Sequence, residues 1–271
     1  MPLEKKFRFP KEIPLDEYPR PEMFLEETCR LIERAQAQGI VLRVMGPIAL
    51  HLYFPGYVEL YHRMERLGDR VFTDIDFASY GKFRGKLVPF FQSQNYEIEK
   101  RAAMISGNTR HIYFGGNVPM VDVFYDQLAY NHPISFKGRL EAHPQCIPLA
   151  ELLLQKLQIV QINDKDLKDA MLLFLAASIG EDDRQGINLP YILRLFADDW
   201  GFYYTATTNL AKVKAAMGGV AALNDSQRDT ICRKVDLVLQ KIEAAPKTGN
   251  WKRRAKVGTQ KVWYNLVEDW S

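Results

Sequence analysis

The chain has 271 residues, of which 47% are hydrophobic and 25% charged, and its formal net charge is +3. The length fits one large domain or two small ones, and the composition is that of an ordinary globular protein able to bury a sizeable core. A charge this small does not by itself imply a nucleic-acid binder, and apolar runs such as MLLFLAASIG are too short to span a bilayer.

The opening MPLEKKFRFPKEIPLDEYPRPE is charged and proline-rich, with no apolar core of a signal peptide. Four prolines before residue 21 predict an extended arm over 1–20. Cys29, Cys146 and Cys232 lie far apart with no CxxC pair, which points to reduced thiols in a cytoplasmic protein. From Pro21 to Gly39, the apolar spacing of Phe24, Cys29, Leu31, Ile32 and Ala35 predicts a helix, with Gly39 as its C-cap. VLRVM (41–45) reads as a short strand, and Pro47 opens a helix through IALHLY. A helical piece covers about Tyr57 to Leu67. VFTDIDFAS (71–79) then reads as a strand and Lys82 to Gln94 as a helix.

Three strand-like runs come next: YEIEKRAAMIS, TRHIYFG and VPMVDVFYD. This order predicts an α+β core, a mixed sheet with helices packed on it. After Pro148, AELLLQKLQIVQIN, DLKDAMLLFLAASIG, LPYILRLFADDW and Asp225 to Ala245 all read as helices. We therefore expect an arm (1–20), a sheet-containing core (21–147), a helical domain (148–245) and a basic, aromatic tail (246–271). Within that tail VGTQKVWYNL alternates enough to be a strand.

The run VFTDIDFAS places two carboxylates in an apolar, β-branched segment. Residues i and i+2 of a strand share a face, so Asp74 and Asp76 point the same way. In MVDVFYD (120–126), Asp122 stands between Val121 and Val123. If the two strands are neighbours, three carboxylates converge, and such a trio repels unless cations neutralise it. Oxygen-only ligands suit Mg²⁺ or Mn²⁺. Each aspartate taken alone reads more readily as a strand-end or surface residue.

Gly46 lies between a strand and a helix N-terminus, where backbone N–H groups can meet a phosphate, although most such glycines are simply turns. Lys156 is the one cation of its helix, among Leu152, Leu153 and Val160. It either snorkels to solvent or reaches a phosphate as a point charge. Asp166 and Asp169 share a helix face, and both also read as acids that complement a helix N-terminus. In the tail, Lys252, Arg253, Arg254 and Lys256 interleave with aromatics. They form either a nucleic-acid surface or a terminal arm whose rings pack on the domain. The five histidines show no ligand spacing, and His51 reads as a core residue.

A glycine turn and helix, DxD on a strand, a third Asp on a later strand and a helical Lys with K-D-x-x-D form a pattern over roughly residues 22–180. It resembles the nucleotidyltransferase superfamily of DNA polymerase beta type. More narrowly, it is similar to the AbiEii-like minimal nucleotidyltransferases of bacterial phage-defence and toxin–antitoxin systems. VMGPIAL and RVFTDIDF stand where that family has its glycine motif and R-x-S-T-D-I-D-F. VDVF matches its third-carboxylate strand, and Lys156 with KDLKD (165–169) its helical motif.

The resemblance implies that Asp74 and Asp76 hold Mg²⁺ or Mn²⁺ with the triphosphate of an NTP. It implies that Asp122 binds a second ion and helps deprotonate an acceptor hydroxyl. Gly46, Pro47, Arg70, Thr73, Lys156, Asp166 and Asp169 would contact the nucleotide. The acceptor would be RNA (tRNA in particular), a protein or a small hydroxylated molecule, and the setting would bring an antitoxin partner. Two departures stand out. Pro47 lacks an N–H where the family has a second small residue, and YFPGYVELYHRMERLGD lengthens the gap between Gly46 and Asp74. The alternative is a catalytically inactive relative that binds a nucleotide, nucleic acid or protein.

Overall fold

The structure is a computed structural model that describes residues 8–68 and 70–267. The chain forms two compact units. The first comprises residues up to Leu52, Leu67–Leu128 and Ser135–Ile147; the second comprises Tyr53–Arg66, Ala129–Ile134 and the chain from Pro148 onward. The segment between the glycine turn and the DxD run therefore belongs to the helical unit.

The first unit is an α+β fold built on a five-stranded mixed sheet. Its strands are β1 (Leu42–Val44), β2 (Ile75–Ser79), β3 (Tyr96–Ile98), β4 (Arg110–Gly115) and β5 (Met120–Tyr125), in the order β1-β2-β5-β4-β3. β2 and β5 run parallel; the other neighbours are antiparallel. Helices α1 (Pro21–Ala37), α2 (Gly46–Tyr53), α3 (Val58–Arg63), α4 (Arg84–Ser93) and α5 (Lys100–Ser106) fall among these strands in sequence, α3 within the second unit's share. Leu42, Val44, Ile75, Phe77, Tyr113, Val121 and Val123 share one face of the sheet and are fully buried. Phe91 of α4 stacks on Tyr113 with centroids 4.2 Å apart.

Several predicted boundaries move, among them that of VFTDIDFAS, where β2 begins only at Ile75, and that of AELLLQKLQIVQIN, where the helix ends at Leu157. YEIEKRAAMIS is not one strand, because β3 ends at Ile98 and Glu99 caps α5 by accepting from the Ala102 N–H. The helix predicted over 57–67 is shorter: a 3₁₀ turn, Pro55–Tyr57, precedes α3. Within the predicted arm, residues 8–20 form 3₁₀ turns at Pro10–Glu12 and Leu15–Glu17; residues 1–7 lie outside the described residues.

Short strands β6 (Gln127–Ala129), β7 (Pro133–Ser135), β8 (Ile179–Gly180) and β9 (Ile187–Asn188) form two small pairs. The second unit is helical: α6 (Leu149–Leu157), α7 (Asp164–Ala176), α8 (Leu189–Asp198), α9 (Trp200–Ala216), α10 (Asp225–Ala244) and α11 (Gly249–Val257). α9 packs against α6, α7, α8, α10 and α11. It buries residues on several sides, among them Trp200, Phe202, Thr205, Asn209, Leu210 and Val213. A central helix has no single apolar stripe, and sequence reading passed over it for that reason. Among the described residues no helix is long and apolar enough to cross a membrane.

The predicted tail strand is absent. After α11 come a 3₁₀ turn and irregular chain, fixed by side chains. The Trp263 Nε1–H donates to Thr205 Oγ1 at 3.0 Å, and the same oxygen is hydrogen-bonded to His132 Nε2 at 2.8 Å. The His132 ring is buried and stacked on Phe202 at 4.9 Å. Burial pushes its pKa down to about 4, against a smaller opposing pull from Asp199.

A histidine held neutral contributes stability that is complete above its unfolded pKa, near 6.5, and lost as pH falls toward 4. Chemical denaturation across this window should show a loss of up to about 1.4 kcal/mol per pH unit that His132→Gln flattens. An unchanged slope in the variant would show that His132 titrates normally.

Candidate active site

The residues singled out in the sequence fall into two groups, one in each unit. Gly46, Pro47, Arg70, Thr73, Asp74, Asp76 and Asp122 belong to the first; Lys156, Asp166, Asp169 and the α11 cations belong to the second.

In the first unit the parallel pairing of β2 with β5 makes Asp76 and Asp122 register partners. Neighbouring strands lie about 4.8 Å apart, so these side chains leave the same sheet face as neighbours. Asp74 precedes β2 and does not lie on it, and Thr73 Oγ1 donates to its Oδ1 at 2.9 Å. Asp74 and Asp76 are half-buried. Gly46 begins α2 with φ +64°, and a Cβ there would lie 3.4 Å from Asp76 Oδ2. A left-handed turn that a carboxylate approaches this closely suits glycine. Pro47, next in α2, offers its carbonyl to His51 Nδ1 at 3.0 Å, and His51 is buried with its ring edge 4.7 Å from Phe72.

The N-terminal segment braces the run that leads into Asp74. Tyr18 donates its hydroxyl proton to the Thr73 carbonyl at 3.0 Å. Arg70 lies over the Tyr18 ring at 4.7 Å and donates to the Ile13 carbonyl at 2.7 Å. The arginine predicted to meet phosphate is thus used, in this structure, to hold the segment that carries Asp74.

Asp122 is 1% exposed. In place of a three-carboxylate metal group, its carboxylate is joined to Arg110, whose Nε donates to Oδ1 at 3.0 Å and Oδ2 at 2.8 Å, with Nη2 also on Oδ2. Burial raises its pKa to about 6, with Arg110 opposing and the Asp74 charge adding to the rise. Among the described residues no three His, Cys, Asp or Glu side chains converge as a metal-binding group. Asp74 and Asp76 are oxygen donors of the kind that suits a hard divalent ion; Asp122 does not fit as a third ligand, because Arg110 already takes both its oxygens. Arg110 escaped the sequence reading, since its role depends on which strand β4 joins. A cavity of about 380 Å³ in this unit, lined by Arg84, Met104, Asn108 and His111 among others, contains none of the predicted residues.

In the second unit Lys156 neither snorkels nor stands alone. Buried, it meets Asp166 Oδ1 at 2.9 Å and Asp169 Oδ2 at 2.8 Å. Asp169 also accepts from Arg66 Nε at 2.6 Å, Arg66 Nη2 at 3.0 Å and the Tyr61 hydroxyl at 2.6 Å. Burial alone would raise the Asp169 carboxyl; Lys156 and Arg66 override it and hold its pKa at about 2. Burial would likewise lower the Lys156 ammonium, yet the two aspartates raise it. Asn163 caps α7, and Asp166 is a first-turn acid within it.

In the tail, Arg254 lies over Trp200 at 4.9 Å and donates to the carbonyls of Gly258, Lys261 and Val262. Lys252, Arg253 and Lys256 are exposed on α11.

No protein-family model matches the chain, and no curated protein matches it. Among solved structures it is similar to the antibiotic-resistance factor ANT(2'')-Ia, an aminoglycoside nucleotidyltransferase whose solution structure shows substrate-regulated conformation dynamics. The identity is 14%, the TM-score is 0.38, and the match covers 65% of this chain and 94% of that one. At this score the site rests on its own geometry.

Removing one partner of a buried ion pair leaves the other charge uncompensated. Asp169→Ala, which strips Lys156 and Arg66 together, should cost on the order of 3–5 kcal/mol in denaturant unfolding. A loss below about 1 kcal/mol, the range of an exposed pair, would contradict the buried network.

Proposed function

We propose that the chain is a metal-dependent nucleotidyltransferase that moves a nucleotide from an NTP to a hydroxyl acceptor. The observation that carries this reading is the register pairing of Asp76 with Asp122, with the Gly46 turn against Asp76. This juxtaposition supports reading three separated motifs of the sequence as one site.

Asp74 and Asp76, both reachable from solvent, would hold Mg²⁺ or Mn²⁺ together with the triphosphate. The bound ion supplies charge neutralisation for the phosphates and activation of the α-phosphorus. The Gly46 turn leaves room for phosphate oxygens beside Asp76, and the braced segment from Arg70 to Thr73 keeps Asp74 in place. The acceptor oxygen forms its bond to the α-phosphorus as the bond to the bridging oxygen breaks and pyrophosphate leaves. We assign to Asp122, beside Asp76, a part in taking up the hydroxyl proton, for which Arg110 would have to release one of its oxygens. Lys156, Asp166 and Asp169 are committed to a buried network within the second unit, and we assign them no contact with the nucleotide.

The acceptor we propose is RNA, with tRNA foremost, met by Lys252, Arg253 and Lys256 on the exposed face of α11. A cytoplasmic phage-defence or toxin–antitoxin setting is consistent with this. Pro47 supports a second reading, because a turn that lacks one phosphate-facing N–H suits a protein that binds a nucleotide without transferring it.

Incubation with each labelled NTP and Mg²⁺ or Mn²⁺, with and without bulk RNA, should yield labelled product and pyrophosphate. Asp76→Ala should lower the rate by at least 10²–10³-fold, roughly the effect of losing one preorganised charge-stabilising group. Equal rates in wild type and variant would reject the enzyme. Thermal stabilisation by NTP and metal without transfer would favour the binding module, with about 2.7 kcal/mol expected at ~100 times Kd.

A further inference from the structure

Side chains of β4 alternate between the two faces of the sheet. Ile112 is the register partner of Asp122, so His111 leaves the opposite face, beside Val123. There it lines the cavity of about 380 Å³, a volume within the roughly 300–1,000 Å³ range of small-molecule sites. The cavity belongs to the first unit alone and is built from α4, α5, the turn after α5 and the start of β4.

Part of its wall is positive. Arg84 is half-buried and donates from Nη1 to the Asn108 carbonyl at 3.1 Å; among the described residues its guanidinium pairs with no carboxylate. Most of its N–H donors remain, in a planar group shaped to grip a carboxylate with two of them. His111 is buried, and its Nδ1 is hydrogen-bonded to the Tyr125 hydroxyl at 2.9 Å and the Tyr113 hydroxyl at 3.2 Å, which fixes the ring. Burial, and then the Arg84 charge, push its pKa down. Among the described residues that line the cavity, Arg84 is therefore the one permanent charge.

The rest of the wall is largely apolar. Met104 and Ile105 of α5 are 84% and 65% exposed, and Val88 of α4, half-buried, joins them in the lining. Single apolar side chains on a surface need no explanation. Two adjacent ones lining a cavity with a guanidinium that lacks a counter-ion combine surface that gains by burial with a charge that fixes orientation.

We propose that this cavity binds a small organic acid, its carboxylate on the Arg84 guanidinium and its apolar body against Val88, Met104 and Ile105. A carboxylate matches the single positive charge of the lining, whereas a phosphate monoester, at about −1.5 to −2, would keep charge unmet. The site lies on the sheet face opposite Asp122 and does not depend on the nucleotidyltransferase reading.

Phenylacetate, 4-phenylbutyrate and octanoate, each beside its neutral amide, are titrated calorimetrically into the full chain. The Met104 ε-methyl resonance, assigned with Met104→Leu, reports where they bind. At least one acid should bind with a Kd below about 1 mM and shift that methyl, with its amide weaker by about tenfold or more, as loss of a charge-assisted hydrogen bond requires. Arg84→Met should weaken the acid by about tenfold or more and leave the amide unchanged. Gly85→Leu, which adds a side chain at a lining position where a Cβ would meet nothing within 4 Å, should weaken both. Both variants place good helix formers in α4 and should fold. Inorganic phosphate, which has no apolar body, should leave the methyl unmoved. Failure of all three acids to bind, equal binding of acid and amide, or wild-type binding of the acid by Arg84→Met would each overturn the proposal. Acid binding that leaves the Met104 methyl unmoved, or phosphate that shifts it as far as the acids do, would overturn it too.

Discussion

Asp76 and Asp122 of the first unit are register partners on adjacent parallel strands, where like charges repel. Unit charges about 5 Å apart repel by about 3 kcal/mol at an effective dielectric constant near 20. Asp122 adds the cost of burial to this, and Asp74 adds a further negative charge. Arg110 answers part of the problem by direct contact, and the raised pKa of Asp122 records the part left unanswered. The surrounding elements work to keep the carboxylates together in spite of it. The parallel register fixes two of them, and Tyr18 with Arg70 fixes the approach to the other.

The second unit treats charge differently. Two cations, Lys156 and Arg66, face two carboxylates, Asp166 and Asp169, and nearly all of the cluster is hidden from water. Each charge has a partner inside the unit, and Tyr61 fills a remaining acceptor site on Asp169. Such a set is self-neutralising and has no need of a ligand. The contrast between the units is between a cluster hidden almost wholly from water and one in which Asp74 and Asp76 stay half-buried beside a fully buried Asp122.

Periodicity made most elements readable. α1, α7 and α10 have amphipathic or capped patterns that survive translation into structure, and DxD on an apolar run correctly marked a strand with an unusual burden. What was not readable depends on pairing between distant segments. Nothing in TRHIYFG says that Arg110 will lie diagonally across from Asp122, because that follows from β4 joining β5 antiparallel. Nor does the buried network announce itself: Lys156, Asp166 and Asp169 are close in sequence, but Arg66, the second cation on Asp169, comes from a stretch that reads as an insertion. The tail failed for another reason. Alternation in VGTQKVWYNL mimics a strand, yet Arg254 occupies the backbone carbonyls a neighbouring strand would have used.

The helical unit is assembled from three stretches of chain, and Arg66 is 103 residues ahead of the aspartate it meets. On a translating ribosome that interval lasts about 5–20 seconds. Throughout it the guanidinium cannot meet Asp169, while all of the sheet-bearing sequence through Ile147 is made first. Vectorial synthesis thus constrains the order of assembly: the contact that ties Tyr53–Arg66 to α7 cannot form until that helix has been made.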